Sequence, residues 1–72
     1  MKKYDRIRNL REDKDLTQQQ LADYLFVTQR TYSRYENGEH AIPIEVLIEI
    51  SNYHSVSVDY LLGLTDNPER NL

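Results

Sequence analysis

The chain has no cysteine, one phenylalanine, one methionine, two glycines and two prolines among its 72 residues. Without cysteine there is no disulfide, thiolate nucleophile or cysteine metal site, which fits a reducing cytoplasm. Gly38 and Gly63 alone cannot build a glycine-rich, phosphate-cradling loop. No apolar run approaches the roughly 20 residues of a membrane-spanning helix. Met1-Lys2-Lys3-Tyr4-Asp5 has no apolar segment behind it and does not read as a signal peptide. His40 and His54 lack carboxylate or thiolate partners at ligand spacing, so both read as solvent histidines, and no metal or cofactor is expected. No serine–histidine–aspartate order stands out. A bundle this small offers little room for a pocket, so an enzyme is not expected.

What is present favours one domain of short helices. Residues 4–13 read as a first helix with Tyr4, Ile7, Leu10 and Arg11 on one face. Thr17 is a good N-cap for a second helix to residue 25, with Gln20 three positions on to complete a capping box. Leu21, Ala22 and Leu25 give that helix its apolar face. Thr28 caps a third helix, 28–37, whose inner side carries Tyr32 and Tyr35, and Gly38 stops it. Pro43 suits the first turn of a fourth helix with Ile44, Leu47, Ile48 and Ser51 inward and Ile50 at the edge. Ser57 caps a fifth, with Asp59 in its first turn, Val58, Leu61 and Leu62 apolar, and Gly63 as its end. The expectation is an all-α domain over 1–64 and a flexible C-terminal tail over 65–72.

Residues 16–38 carry the most information, because two capped helices joined by a tight turn are what a helix-turn-helix needs. The third helix leaves Gln29, Arg30, Ser33 and Arg34 for solvent. At about 100° per residue, 29 and 33 stack one turn apart, as do 30 and 34. With Thr28 they form the expected DNA-reading set, since glutamine can pair with adenine and arginine with guanine in the major groove. An ordinary solvated helix face is the competing reading.

This stretch resembles the phage repressor and Cro group of bacterial regulators, the xenobiotic-response-element (XRE) type. The likeness runs from about Tyr4 to Gly63. It rests on Leu16-Thr17-Gln18 with Leu21-Ala22, on Tyr35-Glu36-Asn37-Gly38, and on Val56-Ser57-Val58-Asp59-Tyr60-Leu61-Leu62-Gly63. The resemblance implies a lambda-repressor-like domain of five short helices with the helix-turn-helix in helices 2 and 3. It implies phosphate contacts from Gln18 and Asn37, and a structural pair of Arg11 with Glu36. A homodimeric repressor on a double-stranded DNA operator follows, with Tyr53, Val58, Tyr60 and Leu64 as the expected dimer surface.

The chain departs from that family in three places. Phe26 and Ser55 stand where glycine is usual, so either a positive φ is strained or the turn is reshaped. Glu39-His40-Ala41 replaces a loop that is often basic. The net charge is −3, split as +3 over residues 1–34 and −6 over 35–72. That acidic half favours an alternative, an antitoxin or other protein-interaction module that binds a toxin or another protein. A carboxylate of Asp13, Asp23 or Glu39 inside the patch of Gln18, Gln29, Arg30 and Arg34 would count against DNA.

Overall fold

The computed structural model describes residues 5–70, and Tyr4, expected on the first helix, lies outside them. Five helices follow in order: α1 (Asp5–Asp13), α2 (Gln18–Leu25), α3 (Gln29–Asn37), α4 (Ile44–His54) and α5 (Val58–Leu61). No strand occurs among the described residues. Each helix is too short to hold itself in water, so packing must stabilise them. Ile7, Leu21, Ala22, Leu25, Tyr32, Tyr35, Ile50, Val56 and Leu61 form one core. α2 and α3 share the most extensive contact, and α1 closes over α3 and α5.

The capping expected at α2 is present. The Thr17 hydroxyl accepts from the Gln20 amide, and the Gln20 side chain accepts from the Thr17 amide at 2.8 Å. Thr28 caps α3 through the Thr31 amide at 3.1 Å, and Ser57 caps α5 through that of Tyr60 at 3.0 Å. Phe26 ends α2 in the left-handed region, φ 58°, ψ 39°. The Val27 amide then donates to the Ala22 carbonyl at 3.0 Å, a Schellman-type close. The glycine-type turn is therefore retained rather than reshaped, with the phenylalanine ring 95% exposed. Ser55 does the same after α4, φ 56°, as does Asp15 after α1, φ 55°.

Three expectations need correction. Pro43 is the residue before the helix, with ψ 148°, so α4 begins at Ile44 rather than at the proline. Of the expected α4 stripe, Ser51 is buried and Leu47 packs against the core, but Ile44 is 72% exposed and Ile48 faces solvent, while Ile50 and His54 are buried and Val46 packs beside them. Isoleucine, valine or leucine occupies five of the seven positions from 44 to 50, so periodicity alone leaves the rotation open. The Ser51 hydroxyl, inward as expected, donates to the Val56 carbonyl inside the fold. His54 is buried, not a solvent histidine, with Tyr53 edge-on to its ring at 5.1 Å.

Residues 65–70 lie back against the bundle. The Arg6 guanidinium sits 4.2 Å above the Tyr60 ring and donates to the Tyr60 carbonyl at 3.0 Å. It also donates to the Thr65 carbonyl and pairs with Asp66 at 2.5 Å. The Ser57 amide donates to the Pro68 carbonyl at 3.0 Å, and Arg70 reaches Asn52 at 2.6 Å.

Candidate nucleic-acid interface

The start of α2 and the outer side of α3 converge on one shallow hollow. Gln18, Gln29, Arg30, Ser33, Arg34 and Glu39 line it. Gln18 and Gln29, the first residues of α2 and α3, both reach it across the turn at 26–28. Tyr32 and Tyr35, on the opposite side of α3, are buried, so the polar residues of that helix must face outward.

The other two residues expected to meet DNA are placed differently. The Thr28 hydroxyl accepts from the Thr31 amide and donates to the Thr31 hydroxyl at 3.0 Å, so it serves first as a cap. Asn37 is exposed at the end of α3 and its amide reaches Glu39 at 3.4 Å. Arg34 stands 3.4 Å from His40, while Arg30 is exposed on the first turn. Glu39 enters the hollow because the left-handed Gly38, φ 76°, folds the chain back and its amide binds the Arg34 carbonyl at 2.9 Å. Asp13 and Asp23 do not line the hollow.

Behind the hollow lies a polar network. Arg11 Nε donates to Glu36 Oε2 at 2.7 Å and Arg11 Nη2 to Glu36 Oε1 at 3.2 Å. Arg11 Nη1 donates to the Leu16 carbonyl at 2.8 Å. Gln18 Nε2 donates to Glu36 Oε1 at 3.1 Å. Burial alone would raise the Glu36 carboxyl, but the hydrogen bonds from Arg11 and Gln18 outweigh it and hold the group below its ordinary range. Burial pushes the neighbouring Tyr32 phenol well above its ordinary value, and the Glu36 charge adds to this. Glu36 is thus a fixed anion, and the reading of Gln18 from sequence alone missed its attachment to Glu36. That contact spans 18 residues and leaves no local signal.

On the expected dimer surface, Tyr53 packs edge-on against Tyr24 with centroids 4.7 Å apart, and Tyr60 lies under Arg6. Val58 is half-buried and Leu64 is exposed. No helix among the described residues is long and apolar enough to cross a membrane, and no group of histidine, aspartate and glutamate among them could hold a metal ion.

Residues 7–61 match the family model described as Helix-turn-helix. The chain is 39% identical over 64 residues to the uncharacterized HTH-type transcriptional regulator YobD of Bacillus subtilis (strain 168), covering 89% of this chain and 57% of that protein. It is 35% identical over 63 residues to the cryptic phage CTXphi transcriptional repressor RstR of Vibrio cholerae, covering 88% and 56%. Among solved structures it superposes on a transcriptional regulator from Listeria innocua with a TM-score of 0.76 and 31% identity, covering 90% of this chain and 57% of that one. The chain thus spans little more than half the length of these relatives.

Proposed function

We propose, from the premise that this chain belongs to the helix-turn-helix family of transcriptional regulators, that it is a homodimeric repressor reading the DNA major groove with α3. One observation carries this reading. Gln18, Gln29, Arg30, Ser33 and Arg34, drawn from two helices, share a single solvent-facing hollow with both helix N-termini beside it. In the proposed complex Gln29 and Arg30 reach base edges, and Ser33 and Arg34 follow one turn on. Gln18 and Asn37 fix the register on backbone phosphates, aided at α2 by the helix N-terminus. Thr28 contributes through the geometry of its cap. No reacting group is needed, and the site of action is the cytoplasm.

A single module this small offers limited affinity, so the operator is read as two half-sites. Two copies related by a two-fold axis would read half-sites about 34 Å apart, one helical turn. Tyr53, Val58, Tyr60 and Leu64 are the proposed contact between them. Repression follows from occupying a promoter.

Glu39 within the hollow favours a second reading, in which a basic protein such as a toxin occupies this face. Fluorescence anisotropy with the DNA immediately upstream of the chain's own gene separates the two. Saturable binding over scrambled DNA, weakened by salt and by Arg30→Ala, is the expected result. Equal weak binding to both fragments, or none at low salt, supports the protein partner.

A further inference from the structure

We propose that Glu36 is a positioning residue for phosphate contact, holding the Gln18 side chain in place before DNA arrives. The inference deepens the DNA reading and rests on it. A primary amide has two N–H groups and one carbonyl. Gln18 gives one N–H to Glu36 Oε1 at 3.1 Å, and the reverse orientation would set two oxygens against each other. The amide orientation is therefore fixed, leaving the second N–H for the hollow that Gln18 lines. Phosphate oxygens accept only, so a donor held there is the useful polarity.

The hold is itself rigid. Glu36 is buried and clamped by Arg11 from α1 at 2.7 and 3.2 Å. The same arginine ties down the Leu16 carbonyl, one residue before the Thr17 cap. One guanidinium thus fixes both the backbone that starts α2 and the carboxylate that orients its first side chain. A free surface glutamine would have to be ordered on binding, whereas Gln18 enters already ordered. The charge on the carboxylate also strengthens the hydrogen bond that holds Gln18.

Side-chain amide NMR on the intact chain tests this. In the wild type without DNA, the Gln18 NH2 is ordered, in contrast to that of the exposed Gln29, and added duplex shifts it. In Arg11→Met/Glu36→Met, which removes both charges at similar volume, the Gln18 resonances move to free-glutamine positions. Affinity gives a second readout: Gln18→Ala weakens the wild type about tenfold but the double variant less than about twofold. Equal mobility of Gln18 and Gln29 in the wild type overturns the inference without any variant. So does an equal Gln18→Ala loss in both backgrounds. A wild type that binds no duplex removes the proposed function instead, and the resonances still decide whether Glu36 holds Gln18.

Discussion

Arg11 and Glu36, 25 residues apart, meet through two parallel N–H donations of 2.7 and 3.2 Å, joining α1 to the last turn of α3. The carboxylate is 1% exposed and the arginine side chain 12%. Breaking such a pair from one side strands a desolvated charge, whereas replacing both ends with apolar groups does not. Glu36→Met or Arg11→Met alone is expected to cost about 3–5 kcal/mol, and the double variant far less. Urea unfolding of the three variants measures this. Additive losses would mean that the pair is not coupled.

Phe26 holds a left-handed backbone while its ring makes no use of the interior. Glycine there removes about 1–2 kcal/mol of strain and adds about 0.5–1 kcal/mol of chain entropy. Phe26→Gly is therefore expected to raise Tm by about 4 °C. A lower Tm would show that something covers the ring in solution.

Burial, with Lys14 nearby, pushes the His54 imidazole down to about 4. Above its ordinary value near 6.5 the ring is neutral in both states, and stability is complete. Between 6.5 and 4 the unfolded chain takes a proton that the folded chain refuses, so stability falls with pH. The expected loss from pH 7 to pH 5 is about 2 kcal/mol, seen as a lower urea midpoint. Glu36, held low, adds a further loss below its ordinary value. His54→Leu should flatten the first step, and a pH-independent wild-type midpoint would contradict it.

Glu39 places a negative charge beside Arg30 and Arg34 in the hollow. Glu39→Gln is expected to tighten operator binding about fivefold, through removal of repulsion at a distance of a few ångströms in a wet site. Asp13→Asn, outside the hollow, should change little. Weaker binding by Glu39→Gln, read by anisotropy, would mean that the carboxylate makes a favourable contact.

Arg6 holds residues 65–66 while the Ser57 amide is covered by Pro68. Arg6→Met should release this segment and speed hydrogen exchange at the Ser57 amide about tenfold, with core amides such as Leu21 less affected. Unchanged exchange at Ser57 would show that Arg6 does not hold the segment.

Local chemistry made much of this fold legible. Thr17, Gln20, Thr28 and Ser57 are caps whose partners lie within three residues, and Leu21, Ala22 and Leu25 mark a face by spacing alone. The rotation of α4 was not legible, because apolar residues fill five of the seven positions from 44 to 50 and only packing against the other helices decides which of them are covered. The burial of His54 was hidden for the same reason. At the candidate interface, the outward set on α3 follows from where Tyr32 and Tyr35 go. The Gln18–Glu36 contact and the entry of Glu39 depend on how α2, α3 and the Gly38 turn come together in space.

The bridge from Arg6 to Tyr60 and Thr65 closes the chain almost into a ring, with partners 54 and 59 residues apart. During synthesis, α1 is made before α3 and α5, the helices it packs against. The helix-turn-helix can assemble early from near neighbours, but α1 waits for residues 60–66. Joining residues 5 and 70 of the domain through a linker and opening it at the Gly38–Ile42 loop would reverse that order of arrival while leaving the contacts intact.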